Sequence, residues 1–383
     1  MSSTFRKTAM TVAMAVAGLT AASAAFAQAQ EIKLGYAGPL TGGQAQYGKD
    51  MQNGIVLAID DMNATKPKIG GKEVKFVLIS EDDQADPKTG SVVAQKLVDA
   101  GIQGMLGHFN SGTSIPASMV YNRAGIPQIA MATAPEYTRQ GFKTTFRMMT
   151  SDTQQGSVIG AFVVKKLGAK NIAIVDDRTA SGQGLADEFE KAAKAAGGKI
   201  VRREFTNDKA VDFKAVLTNI KRSNPDVIFY GGAETQSAPM AKQVKELGLK
   251  APIVSGEMSK TDNFLKLAGA AADGTVVSLA GLPLEQMPGG SAYEKKYEKR
   301  FGSKVQTYSP YAYDGATAMM TAMIKAGSAD PARYLPVLAA TNMQGVTTKT
   351  LAYDARGDLK DGGITVYKVE GGKWTVLETV GGK

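Results

Sequence analysis

The stretch "GMLGHFNSGTSIPASMVYNRAGIPQIAMATAP", Gly104 to Pro135, holds the pattern that decides the fold. Its first four residues are an apolar run, and small polar residues end that run. A helix is expected from about Gly112 to Ala124, after which "IPQIAMA" begins a second apolar run. Strand, helix and strand in this order are the unit from which parallel sheets are built. His108, the chain's only histidine, and the hydroxyl residues Ser111, Thr113 and Ser114 stand where the first run stops. Residues of this kind in such a place suit a nucleophile, a phosphate loop or a helix cap.

The alternation continues on both sides. Upstream, "IKLGYAG" is a short strand, and Met51, Ile55, Ala58, Ile59 and Met62 recur at helical spacing in "GKDMQNGIVLAIDDMNA". "EVKFVLISEDD" then reads as a strand, and "DPKTGSVVAQKLVDAG" as a helix opened by Asp-Pro and closed by Gly101. Downstream, a second series starts near Ser151. Its strands are "NIAIVDD", "KIVRREF", "DVIFYGG", "APIVSGE" and "GTVVSLAG", with helical segments between the earlier ones. The fold class is therefore α/β, with two doubly wound parallel-sheet lobes. From Pro283 helices dominate, and three strand-like pieces close the chain: "KTLAYDARGDL", "ITVYKVEGGKW" and "TVLETV". The Gly pair in "VEGGKW" signals a hairpin.

Bulk composition agrees with this size and class. Residues 1–27 have a basic start (Arg6, Lys7), a short apolar stretch and an Ala25-Phe26-Ala27 ending, the pattern of a cleavable secretory signal. Removing them from 383 residues leaves 356, more than one core supports, and lowers the formal charge from +9 to +7. The expected location is the periplasm. With no cysteine in the chain there is no lipid-anchored cysteine, disulfide or thiolate metal site. The basic residues alternate with acids along helices, as in "YEKKYEKRFG", and are not interleaved with aromatics. A solvated surface is expected, with no nucleic-acid partner.

Ligands of open α/β sheets bind beyond the carboxyl ends of the strands. The Gly107–Ser118 segment lies at such an end, and the first turn of its helix leaves N–H groups unpaired. A small hydroxyl there lets an anion approach closely and adds a donor. The bland reading is that Ser111, Thr113 or Ser114 caps the helix. "AMATAPEYT" ends the next strand with Ala132, Thr133 and Ala134, a second run of donors beside the first. Donors without Lys or Arg suit a carboxylate better than a phosphate.

Other chemistry fits less well. His108 stands three residues before Ser111, and no G-x-S-x-G elbow occurs, so a hydrolase is not expected. One histidine and no cysteine disfavour zinc. Gly182-x-Gly184 before a helix, with Glu204 about 20 residues on, is a weak dinucleotide signal lacking its third glycine. No cofactor and no metal are expected. The pairs Asp82-Asp83 and Asp176-Asp177 follow strands and read as cleft-edge solvation or helix caps. Asp314 is read as beginning a helix, and Tyr311 and Tyr313 as facing either the cleft or the hinge.

"IKLGYAGPLTGGQAQYGKDMQNGIVLAIDDMN", "DDQADPKTGSVVAQKLVDAGIQGMLGHFNSGTSIPAS", "GIPQIAMATAPEYTRQG" and "GDLKDGG" together resemble the branched-chain amino-acid binding proteins of bacterial ABC importers. The resemblance runs from about Ile32 to the C-terminus. It implies a type I periplasmic binding protein: two lobes, a three-crossover hinge and a ligand cleft between them. The first lobe would be 28–150 plus about 281–358, and the second 151–280 plus about 359–383. It implies that Ser111 and Thr133 hold the ligand carboxylate, flanked by Asn110, Ala132 and Ala134. Tyr47 would line the side-chain pocket, and Glu257 in "VSGEMS" would pair with the ligand ammonium. The expected partners are a small-molecule ligand, an amino acid or related carboxylate, and the ABC-transporter permease subunits. Contact with the membrane complex would be peripheral, and the protein a monomer without enzymatic activity.

Two positions depart from the family. Where Leu/Ile/Val-binding members often carry a Tyr, this chain has Ser181 in "RTASGQG" and Ala233 after "YGG". Smaller, more polar walls leave a different ligand open, such as an aromatic acid or a urea-type amide. A ligand-sensing module on the same fold is the non-transport alternative.

Overall fold

The computed structural model of the chain describes residues 29–382, so the expected signal segment, 1–27, lies outside the described residues. Six strands form the first sheet: β1 (Gln30–Gly38), β2 (Lys68–Ile69), β3 (Lys72–Asp82), β4 (Gly104–Gly107), β5 (Gln128–Ala130) and β6 (Thr145–Arg147). Their spatial order is β2-β3-β1-β4-β5-β6, all parallel except the short β2–β3 pair. Every residue of β4 and β5 is buried, as expected of strands covered on both faces.

The covering helices obey local signals. The helix α1 (Ala45–Ala64) follows β1, and α2 (Pro87–Asp99) follows β3. Asp86 caps α2, its Oδ1 accepting the N–H of Thr89 at 2.8 Å, and Pro87 takes the first helical position, where no intrahelical donor is needed. After β4 comes α3 (Ser111–Arg123), and after β5 the single turn α4 (Glu136–Arg139).

The helix α5 (Asp152–Lys165) opens the second lobe. Its sheet contains β7 (Asn171–Asp176), β8 (Lys199–Phe205), β9 (Val227–Gly231), β10 (Ile253–Ser255) and β11 (Val276–Ala280), with α6 (Ala180–Ala195), α7 (Lys214–Arg222), α8 (Glu234–Glu246) and α9 (Asp262–Ala268) between them. The last two strands, β14 (Ile364–Glu370) and β15 (Lys373–Val380), add an antiparallel hairpin, giving the order β15-β14-β11-β10-β9-β7-β8. Gly371 and Gly372 make its two-residue turn with φ of 59° and 75°, the left-handed pair that such a hairpin needs.

Between β11 and that hairpin the chain returns to the first lobe as α10 (Gly290–Phe301), α11 (Ser309–Ala326) and α12 (Pro331–Ala339). Met319, Met320 and Met323 of α11 join Leu34, Ile55 and Phe76 in the first lobe's core. Truncating one of these large side chains to Ala should cost about 2–5 kcal/mol. Asp314 lies inside α11 and not at its start; its buried carboxylate accepts the N–H groups of Val346 and Thr347. Three strands of chain join the lobes and meet around a water-sized cavity of about 20 Å³ lined by Thr150, Gly281, Gly362 and Tyr311, among others. Tyr311 thus faces the hinge, while Tyr313 donates to Asp61 on the outer side of the first lobe.

One strand expectation shrinks. "KTLAYDARGDL" holds only β13 (Leu351–Ala352), paired with β12 (Asn342–Met343), and a lone Tyr353–Leu359 bridge. Asp354 Oδ1 accepts the N–H groups of Arg356 and Asp358 at 2.8 and 3.0 Å, which curls the chain where the pattern suggested extension.

Candidate functional site

In the first sheet the strand order reverses between β1 and β4, and in the second between β7 and β9. A doubly wound sheet is open to ligands at that reversal. Tyr47 follows β1, Asn110 and Ser111 follow β4, and Ala132 and Thr133 follow β5. Ser181 follows β7, Ala233 follows β9, and Glu257 follows β10. The eight residues expected from sequence thus follow the carboxyl ends of central strands, and all but Asn110 and Ser181, which are half-buried, are buried.

The first lobe supplies a donor nest. Ser111 is the first residue of α3, and its Oγ accepts the N–H groups of Thr133 and Ala134 at 3.2 and 3.1 Å. With both lone pairs engaged, the hydroxyl proton is left to be donated, polarised by the two amides behind it. Behind the nest stands Arg147, fully buried. Its Nη1 donates to the Ala132 carbonyl, its Nη2 to Ala134 O at 3.2 Å and Thr138 Oγ1 at 3.0 Å, and its Nε to Asp358 at 2.8 Å. One guanidinium therefore holds the 132–134 segment in shape.

The second lobe supplies acids. Glu257 is 6% exposed, and Oε2 accepts Gln155 Nε2 at 2.6 Å. Burial pushes its carboxyl above the ordinary value, opposed by its own backbone amide and by Gln155. Among the described residues no Lys or Arg forms an ion pair with it. Glu234, fully buried at the start of α8, accepts from Thr261, from Asn263 Nδ2 at 2.8 Å and from Gln46 of the first lobe. Ala233 is the N-cap residue of α8 and contributes no side-chain bond.

Several bonds cross between the lobes. Tyr47 OH donates to Met258 O at 2.9 Å, Ser111 N donates to Ser181 Oγ at 3.3 Å, and Gln46 reaches Glu234. The Tyr47 ring stacks on Phe109 at 5.5 Å between centroids and meets Tyr308 edge-on at 5.6 Å. This aromatic wall is apolar on its faces and polar at the tip, as a mixed pocket wants. Asn110 Nδ2 donates to Gln44 at 2.7 Å, and its Oδ1 is buried without a partner.

Some sequence readings need correction. The helix cap of α3 is Asn110, which makes no side-chain cap bond, while Ser111 turns its hydroxyl to the neighbouring strand end instead. Asp83 is not solvated: it is fully buried, its Oδ2 hydrogen-bonded to His108 Nδ1 at 2.7 Å, and His108 Nε2 faces Tyr121 OH at 3.2 Å. His108 is thus a core residue and no base for Ser111. The dinucleotide signal fails on space and charge. A Cβ on Gly182 would lie 2.2 Å from Asp177 Oδ1 and 2.6 Å from Gly231 O, so an acid and a carbonyl fill the place of a phosphate.

Sequence reading missed Arg147, Asp152, Gln155 and Glu234 as parts of this region. Glu234 had a signal in its neighbour Ala233. The other three lie on the crossover from β6 to α5, where nothing in the spacing marks a cleft.

A sequence model of the family described as periplasmic binding protein matches residues 31–373. The chain is 34% identical over 343 residues to Leu/Ile/Val-binding protein homolog 1 of Brucella melitensis, covering 89% of this chain and 91% of that one. Among solved structures, a leucine binding protein of Thermotoga maritima aligns with a TM-score of 0.83 at 23% identity, over 91% of this chain and 98% of the other. An ABC transporter substrate-binding protein of Desulfitobacterium hafniense, in complex with Leu, aligns with a TM-score of 0.75 at 26% identity, over 91% and 100%. The two lobes, the reversal points and the matched length converge: the chain belongs to the periplasmic binding protein family.

Proposed function

We propose that the chain is the extracytoplasmic solute receptor of an ABC importer, binding an amino acid with a branched-chain or related side chain. The observation that carries this reading is the pairing of opposite needs across the cleft. A nest of polar groups around Ser111 and Thr133 follows the strands of one lobe, and Glu257, a buried acid with no cationic partner among the described residues, follows β10 of the other. A zwitterion satisfies both. The name of the Brucella melitensis relative, Leu/Ile/Val-binding protein homolog 1, and the Leu held by the Desulfitobacterium hafniense structure support the same solute class.

In this mechanism Ser111 and the amides near Thr133 take the carboxylate, and Glu257 takes the ammonium when the lobes close. Tyr47, Asn110, Ala132, Ser181 and Ala233 shape the remaining wall. The segments 28–150 with about 281–358, and 151–280 with about 359–383, move as two bodies about the three crossovers. Because the ligand bonds to both bodies, it prefers the closed state, which is the condition for shifting the population. A shift from 1:99 to 99:1 takes about 5.5 kcal/mol of differential affinity, within reach of a few charge-assisted bonds. The closed monomer, exported to the periplasm, then docks on the permease.

Ser181 and Ala233 favour a second reading, in which the solute is a different small carboxylate or amide. Calorimetry on stripped protein with the standard amino acids, several aromatic acids and urea separates the two. Binding of leucine, isoleucine or valine tighter than the acids supports the first reading. Binding confined to solutes without an ammonium overturns it.

A further inference from the structure

A cavity of about 350 Å³ opens where the second lobe meets the crossover from β11 to α10, within the range of about 300–1,000 Å³ common among small-molecule sites. None of the eight residues expected at the cleft lines it. One wall is the closing hairpin of the second sheet, with Tyr367 of β14 and Trp374 of β15. Trp374 is pinned there, its Nε1 donating to Thr261 O at 3.2 Å and its ring set against Phe264 at 5.7 Å between centroids. Leu279, Leu282 and Met287, all buried, add an apolar lining. The loop before α11 closes another side, where Thr307 Oγ1 donates to Lys260 O at 3.5 Å.

Lys260 is the group here that lacks a counterpart. It is half-buried, and its Nζ lies 4.7 Å from the centroid of the Tyr367 ring. Among the described residues no carboxylate forms an ion pair with it. Burial lowers its pKa from the ordinary value, opposed by the charges of Asp262 and Glu285. Both acids line the same cavity and are exposed. A cation drawn out of water with no anion against it is costly, and a ring face offsets only part of that loss. An occupant that brings a carboxylate to Nζ supplies the missing partner. A bare acid would also stand near Asp262 and Glu285, whereas an ammonium carried beside the carboxylate meets them with the favourable sign.

We propose that this cavity is an accessory binding site for a small apolar amino acid: Lys260 takes the carboxylate, Asp262 and Glu285 attract the ammonium, and Trp374 and Tyr367 cover the side chain. The site is separate from the cleft and does not rest on the receptor reading.

Trp374 is the chain's only tryptophan, so its emission reports this cavity directly. The test is a fluorescence titration with L-leucine of the parent, Lys260→Gln, Lys260→Arg and Ser111→Ala, with calorimetry on the same samples to read the cleft. The parent should show a saturable change, and Lys260→Gln should weaken it about 10-fold or more. Lys260→Arg, which keeps the cation, should stay within about three-fold of the parent. Ser111→Ala should leave the change within about two-fold, since the two sites share no residue. 4-Methylpentanoate, without the ammonium, and 3-methylbutylamine, without the carboxylate, should each bind about 10-fold more weakly than leucine. The proposal is overturned by no saturable change in the parent, by a change that Lys260→Gln leaves intact, or by one that Ser111→Ala weakens as much as it weakens the cleft. Either one-charge probe binding as tightly as leucine overturns it too. Lys260→Met carries the test if the Gln protein does not fold. Because calorimetry follows the cleft independently, the receptor reading stands or fails by itself.

Discussion

The N–H of Ser111 donates to Oγ of Ser181 at 3.3 Å, joining the first turn of a helix in one lobe to the first turn of a helix in the other. Both helices begin at the reversal points of their sheets, so the bond marks where the two proposed ligand-binding ends meet. Ser181 accepts here, and its own proton remains to be given to a carboxylate. Ser181→Ala should weaken amino acids about 3- to 10-fold, the size of one neutral hydrogen bond. Calorimetry checks it; unchanged affinity would place Ser181 outside the ligand shell.

Ser111 has the larger role, because its Oγ satisfies the buried amides of Thr133 and Ala134 as well as facing the cleft. Ser111→Ala is expected to weaken every carboxylate solute by about 10-fold or more and to cost about 1–3 kcal/mol of stability from the orphaned amides. Denaturant unfolding and calorimetry on the same preparation read the two losses separately.

Arg147 acts through the shape of the 132–134 segment. Its four donor contacts need the planar fork, which Lys does not have. Arg147→Lys keeps the charge, yet it should lower both melting temperature and affinity for amino acids and des-amino acids alike. A variant that binds normally would show that the nest holds itself.

Three buried acids give a pH signature. Burial raises Asp50, Asp177 and Asp314 from 3.8 to about 6. Between those values the folded chain holds protons that the unfolded chain has released, so each acid's contribution falls as pH rises from about 4 to 6. Asp82, Asp86 and Asp226, whose values are lowered, act on the acid side of this window with the opposite sign. Asp314→Asn should flatten the fall of stability with pH across the window, measured by urea unfolding at several pH values. A slope identical to the parent's would contradict the assignment.

What was legible in the sequence, and what was not, follows from the range of the interactions. Alternating strands and helices are local patterns, and Ser111, Thr133 and Glu257 stand at predictable strand ends. The hairpin at Gly371-Gly372 announced itself through its turn. Arg147 and Asp152 did not, because their partners at Asp358 and Thr133 are set by how the crossovers fold back. The Asp83–His108 pair is likewise a contact between two strand ends 25 residues apart, invisible to spacing. "KTLAYDARGDL" misled because Asp354 turns a sequence that is extended by composition alone.

The crystal structure of the protein grown with L-leucine tests the central claim most directly. The account predicts the carboxylate bonded to Ser111 Oγ and to the amides near Thr133, with the ammonium on Glu257 and the lobes closed around it. Leucine seated away from Ser111 and Thr133, or bound with its ammonium turned from Glu257, would contradict it.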